Sequence, residues 1–336
     1  MIINRFFKKG SQFLDCPIPV MCGAMTWISS PELVGKIGEC GGFGLLAGGN
    51  APVEALRNDI LATSKYTDKP FGVNLITIAP AYADQLKMVC EMKCSVIVFA
   101  GSIPRESEIT RAKESGAKAI CFASTQQLAL KLIKMGADAL ILEGSEAGGH
   151  IGPVSLNVLI QQILFNVDTV PIFVAGGIAT GRMIAHLLMM GAAGIQMGTR
   201  FVMSEECPVH PEFKKAFRKA KARDAVATPQ FDSRLPVIPV RALKNDGSLE
   251  FSKLQFELLK KLENNQIDRV DAQYEVERFW VGALKQAVVE GDVKNGSLMA
   301  GQSVGLADRI LPLKGIFDEI VTDVEAEFKR IYNLMK

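Results

Sequence analysis

Histidine is scarce in this chain, with three in 336 residues, and aromatics make up only 7%. Proton transfer near neutral pH through imidazole therefore has only His150, His186 and His210 to draw on. No apolar run reaches the roughly 18–20 residues that span a bilayer. The first twenty residues hold neither a long apolar stretch nor a small-residue cleavage pattern, so no signal peptide is expected. Neither sign of charge dominates: 38 Lys and Arg stand against 36 Asp and Glu, a formal +2. That balance gives no reason to expect nucleic acid or an anionic membrane as a partner. The seven cysteines, at 16, 22, 40, 90, 94, 121 and 207, are odd in number and dispersed, mostly in apolar runs. Such thiols are free core residues of a reducing compartment, and the chain is expected to be cytoplasmic. Cys90 and Cys94 form a lone CxxxC with no second pair, so no metal site is expected.

What remains is ample material for a core. Apolar residues are 48% and charged residues 22%, and a chain of this length buries about three quarters of its unfolded surface. Short β-rich runs recur at 18–22, 42–46, 70–75, 95–99, 119–123, 139–142, 172–175 and 194–197. Stretches with helical spacing lie between them, at 32–39, 53–64, 81–91, 107–115, 126–135, 156–165 and 182–190. Eight strand–helix repeats with strands apolar on both faces indicate an α/β fold, a closed (β/α)8 TIM barrel. The segments 114–119, 134–139 and 190–194 each place a glycine stop between a helix and the next strand. After about residue 210 the chain becomes more charged. The expected organisation is a barrel over 1–209, a smaller, mostly helical substrate or lid domain over 210–290, and a return to the barrel with a closing helix over 291–336.

In such a barrel the chemistry sits at the C-terminal ends of the strands, with phosphate bound after strands seven and eight. There the chain has Ala175-Gly176-Gly177-Ile178-Ala179-Thr180-Gly181 and Gly198-Thr199-Arg200. Residues without side chains let backbone N–H groups approach an anion, and a helix N-terminus adds partial positive charge. Thr199 adds a hydroxyl donor. The loop after strand six, 143–152, is the densest concentration of unusual residues. Glu143 and Glu146 stand at a strand end, and His150 lies among glycines on a segment with little packing of its own. Of the three histidines it is the candidate for proton transfer; His186, inside an apolar helix, and His210, in a turn, are read as structural. Cys22 lies at the rim without a paired base. Small residues at 23–24 would let a flat ring lie against the backbone, and Asn74 offers both a donor and an acceptor. The run 214–223 places cations at 214, 215, 218, 219 and 221 where a helix could expose them.

Taken in order, the stretch 23–50, FGVN at 71–74, EGSEAGGHIG at 143–152, AGGIATG at 175–181, GTRF at 198–201 and GSLMAGQ at 296–302 resemble the nitronate monooxygenase (2-nitropropane dioxygenase) family. Within it they look most like the FMN-dependent enoyl-acyl-carrier-protein reductases. The resemblance covers nearly the whole chain. It implies non-covalent FMN in the barrel mouth, with its phosphate on Gly176, Gly177, Gly198 and Thr199. The ring would lie against Gly23, Ala24 and Met25, with Asn74, Glu143, Ala147 and Gly148 near it, and Met299, Gly301 and Gln302 would return from the small domain to cover it. His150 would be the catalytic residue. As a reductase the protein would use NAD(P)H to reduce the double bond of a trans-2-enoyl thioester, small or carried on an acyl carrier protein. As a monooxygenase it would oxidise alkyl nitronates with oxygen, and quinone reduction is a further alternative. A homodimer is compatible with either.

Overall fold

The computed structural model describes residues 3–235 and 237–336. Eight parallel strands close into a barrel in chain order: β1 (Val20–Cys22), β2 (Phe43–Ala47), β3 (Gly72–Ile76), β4 (Val96–Ala100), β5 (Lys118–Phe122), β6 (Ala139–Glu143), β7 (Ile172–Ala175) and β8 (Gly194–Met197), which pairs back onto β1. The (β/α)8 fold expected from the sequence rhythm is the fold observed, with strand edges moved by one or two residues. Strands are apolar on both faces because both are covered. Met21, Phe43, Leu45, Val96, Val98, Ile120, Ile141 and Phe173 fill the interior. Val20, Val73, Leu75, Ile97, Cys121, Leu140 and Val174 face the helices outside.

Local chemistry sets the helix ends. Ser30, Thr125 and Thr180 are N-caps whose hydroxyls accept from the backbone N–H of Leu33, Leu128 and Met183. Gly116, Gly136 and Gly191 take left-handed φ values of 94°, 99° and 107°, stopping three helices just before the next strand.

One helix has no counterpart in the sequence reading. Ile3–Leu14 buries Ile3, Phe7, Gly10 and Leu14. Leu14 and Cys16 join the interior cluster and floor the barrel. A Cβ on Gly10 would lie 2.0 Å from the Ala193 carbonyl oxygen, so only glycine allows that approach. Phe6 stacks on Phe328 of the closing helix Leu313–Leu334 at 4.4 Å. Its apolar residues, Ile3, Phe6, Phe7, Phe13 and Leu14, do recur at helical spacing, but the partners that bury them lie far along the chain.

After β8, helix Pro211–Lys219 buries Phe213 and Phe217 in the barrel's outer shell. A separate cluster, including Leu235, Val240, Phe251, Leu258, Val276 and Trp280, lies under helices Asp246–Glu263 and Arg269–Lys285. This second unit is not helical alone. Ala225–Ala227, Val240–Leu243 and Gly149–His150 form an antiparallel three-stranded sheet, and its last strand is contributed by the loop after β6.

Candidate active site

The loops after β7 and β8 begin side by side, since Ala175 pairs with Gln196 and Gly177 and Gly198 each lie two residues further on. Gly176 and Gly177 have φ of 95° and 70°, a conformation that disfavours a side chain. Gly176 abuts the Gly144 backbone, where a Cβ would come within 2.7 Å of its carbonyl oxygen. Among the described residues, the backbone N–H groups of Gly177 and Gly198 have no protein acceptor. Two free donors on adjacent glycine loops make an anion cradle. Thr199 is engaged otherwise than expected: its hydroxyl accepts the Gly301 N–H at 3.0 Å, and its own proton stays available.

That bond brings 299–302 back onto the mouth. Gln302 N–H donates to the Glu146 carbonyl at 2.9 Å, and a Cβ on Gly148 would lie 2.5 Å from the Gly301 nitrogen. Met299 pairs with Ala242, Ala147 is buried beneath, and Gly301 fits only because it lacks a side chain. Glu146 accepts the Leu156 N–H at 3.1 Å, capping the helix that starts there. Arg241 reaches from the second unit to donate to the Ser145 carbonyl at 3.0 Å, bracing the same loop.

His150 requires a correction. The sequence suggested a loosely packed segment, but His150 is in a strand, paired in register with Val240. Its Nε2 lies 3.2 Å from Glu277 Oε1 on helix Arg269–Lys285, with 41% of the side chain still exposed. Partner strand and partner carboxylate both lie far along the chain, so local sequence could not disclose them. The ring is thus held, not free, and remains open to a ligand.

Polar side chains enter the barrel just below. Strand alternation turns Asn74 (β3), Glu143 (β6) and Gln196 (β8) inward. Glu143 is partly open at the mouth, yet burial in the wall pushes its carboxyl from 4.5 up to about 8, favouring the neutral acid. Gln196 escaped the sequence reading, although a polar residue in the inward slot of an apolar strand was the signal. Its Oε1 is buried without a partner, and its side chain lies 3.2 Å from where a Gly23 Cβ would stand. Ala24 packs on the interior cluster, and Met25 Sδ is 3.3 Å from a Cβ placed on Gly198. The loops after β1, β6, β7 and β8 and the segment 299–302 therefore form one continuous rim. Asn74 lies across the mouth, its carbonyl holding the Gly48 N–H at 2.8 Å.

Other candidates stand apart. His186 bonds Glu327 at 2.8 Å, joining its helix to the closing helix, and Arg330, His186 and Arg182 hold that carboxyl down at about 2. His210 accepts the Glu212 N–H at 3.2 Å and caps a helix. Burial pushes the Cys22 thiol far up, so it is no nucleophile at neutral pH. The exposed-cation expectation for 214–223 also changes. Lys214 turns in to donate to the Ser204 carbonyl at 2.6 Å, while Lys215, paired with Glu212 at 3.0 Å, stays exposed together with Arg218, Lys219 and Lys221.

A mononucleotide suits this mouth: the glycine loops offer donors to its phosphate, and the orphaned Gln196 oxygen offers an acceptor to a ring N–H. The chain is a flavin-dependent oxidoreductase built on a (β/α)8 barrel. The family model for nitronate monooxygenase matches residues 9–91 and 76–323, and the chain belongs to that family. It is 36% identical to FabK from Thermotoga maritima, with a TM-score of 0.85 over 96% of this chain and 98% of that one. It is 31% identical to a 5-hydroxy-7a-methyl-1-oxo-octahydro-1H-indene-4-carboxyl-CoA dehydrogenase of Rhodococcus jostii, over 91% of this chain and 92% of that protein. A probable nitronate monooxygenase of Staphylococcus saprophyticus is 26% identical, over 88% and 92%.

Proposed function

We propose that the protein binds FMN without a covalent tether and uses NAD(P)H to reduce the 2,3 double bond of a trans-2-enoyl thioester. When bound, the flavin supplies hydride transfer from the nicotinamide to the β-carbon. The chain's residues supply the rest. Gly176, Gly177, Gly198 and Thr199 hold the phosphate, Gly23, Ala24 and Met25 line the ring, and Asn74 and Gln196 offer hydrogen bonds to its polar edge. His150 holds the proton delivered to the α-carbon, and Glu277 on Nε2 orients its ring. Glu143, favoured as the neutral acid at neutral pH, is a hydrogen-bond donor rather than a charge beside the cofactor.

The observation that carries this reading is His150, strand-held and half open on the loop whose Gly148 and Gly149 abut Gly301 and Met299 of the rim. Support for a thioester comes from the loop 143–152, whose wording resembles the enoyl-acyl-carrier-protein reductases, and from the identity to FabK. A thioester is also named for the relative from Rhodococcus jostii. An acyl carrier protein is the proposed macromolecular partner, met by Arg218, Lys219 and Lys221. A nitronate reading also has an observation in its favour, the family model itself; there His150 would serve as base. Anaerobic titration separates the two. Bleaching of the flavin by NADH or NADPH, and recolouring by a trans-2-enoyl thioester, is expected. Bleaching by a nitronate alone, with no response to any enoyl thioester, would overturn the reductase reading.

A further inference from the structure

The second unit is tied to the mouth by polar contacts on one side. Trp27 Nε1 donates to the Val281 carbonyl at 3.1 Å, tying it to the loop after β1. His150–Glu277 and Arg241–Ser145 tie it to the loop after β6. Thr199–Gly301 ties the returning segment to the loop after β8. These polar ties land on the sector from β6 through β8 to β1; among the described residues none of them reaches the loops after β2 to β5.

Within the remaining sector the ends of β4 and β5 are apolar, whereas β3 carries the polar Asn74. At the ends of β4 and β5 the inward positions are Ala100 and Phe122, where β6 and β8 have Glu143 and Gln196. Above them stand Ile78, half-buried, and Ile103, 47% exposed. These two loops form a braced ledge. The Thr77 hydroxyl accepts the Ser102 N–H at 2.8 Å and lies 3.1 Å from the carbonyls of both Ala100 and Ser102. Gly101, at φ 90°, lies between them; a Cβ there would stand 3.1 Å from Ile76 Cγ2 and 3.5 Å from Ile78 Cγ1. Branched side chains held on braced backbone at the catalytic end of the barrel lose little entropy when a ligand covers them. The apolar groove between Leu254 and Phe279 is no rival route. It opens on the face of helix Arg269–Lys285 opposite Glu277 and Val281, away from the mouth.

We infer that this ledge seats the alkyl chain of the substrate, which runs from the reacting carbons past Phe122 and Ala100 and out over Ile78 and Ile103. The inference rests on the thioester reading and adds chain-length selectivity to it. The polar carrier of the thioester then lies toward His150 and the second unit. Each methylene seated on the ledge is worth about a fourfold gain in binding.

The test uses the FMN-loaded enzyme and needs no turnover. Saturated N-acetylcysteamine thioesters from butanoyl to dodecanoyl are titrated, and dissociation constants are read from the change in the flavin absorption spectrum. In the wild type, affinity is expected to rise with chain length and then level off. In Ile103→Asp the dodecanoyl thioester should bind on the order of tenfold more weakly, the butanoyl thioester less affected, and Ile103→Ser should fall between. Affinity independent of chain length in the wild type, or an equal loss for every length in the variants, overturns the ledge. A parallel assay of enoyl thioester reduction addresses the reaction separately. If no thioester is reduced but alkyl nitronates are oxidised with the same Ile103-dependent chain preference, the ledge stands and the reductase reading falls.

Discussion

Trp27 holds a backbone φ of 65°, and its indole N–H reaches across to the Val281 carbonyl at 3.1 Å. A bulky residue in the left-handed region is strained by about 1–2 kcal/mol. Here the strained turn aims the ring at helix Arg269–Lys285, where Lys285 Nζ lies 5.4 Å from its centroid. Trp27→Phe keeps the ring and removes the donor, a loss of about 0.5–1.5 kcal/mol. Faster amide exchange in 277–285 is the expected readout by mass spectrometry. Unchanged exchange there would mean that the bond does not hold the second unit down.

Gly177 allows the charge on the cradle to be tested apart from strain. Both Gly177→Ala and Gly177→Asp place a Cβ at φ 70°, 3.1 Å from Glu146 Cβ. Only the second adds a carboxylate beside the free donors. After desalting, the Ala variant should keep a reduced share of FMN and the Asp variant none, with circular dichroism intact in both. Equal FMN content in the two would place the phosphate elsewhere.

His150→Ala should lower turnover by a factor on the order of 10² or more. Its effect on stability should be small, because the strand pairing with Val240 is backbone and a part-exposed polar contact such as that with Glu277 contributes only about 0–1 kcal/mol. That is well under the ~2–5 kcal/mol of a core truncation. Thermal unfolding and steady-state rates on one preparation check both, and wild-type turnover would make His150 a structural residue.

Glu143 has a signed effect on stability. Burial raises its folded pKa from 4.5 to about 8, so between these values the folded state binds a proton that the unfolded state has lost. The unfavourable contribution is absent below about 4.5, grows through the window, and is complete above about 8. With FMN removed, Glu143→Gln should therefore match the wild type at low pH and melt increasingly above it as pH rises toward 8. A constant difference in melting temperature across that range would mean Glu143 ionises normally.

For the carrier protein, the outward Arg218, Lys219 and Lys221 lead to a salt dependence. Reduction of an enoyl-carrier-protein substrate should weaken as ionic strength rises, while a small enoyl thioester barely responds. Parallel salt curves for the two substrates would remove the basic helix from recognition.

The parts of the site legible in sequence are those whose chemistry is local. Gly176, Gly177 and Gly198 announce themselves because tight strand-to-helix turns and open backbone donors both require glycine. Thr199 was recognisable as part of the cradle, but its bond to Gly301 depends on a segment that returns only after the second unit is built. His150 was singled out by type and place, whereas its strand pairing and Glu277 were hidden by distance along the chain. The engagement of Lys214 with the Ser204 carbonyl was equally invisible, since a charge run shows composition and not direction. Gln196 was the avoidable omission, because the period-two alternation that defines β8 also turns it inward.

The floor of the barrel also bears on how the chain is made. Helix Ile3–Leu14 is translated long before its seat: Ala193 arrives with the last barrel strand, and Phe328, on which Phe6 stacks, arrives later still. Until then the apolar stripe of Ile3, Phe7 and Leu14 has nowhere to dock. The order of the chain thus separates the making of this apolar stripe from the two contacts that bury it, the first by about 180 residues and the second by more than 300.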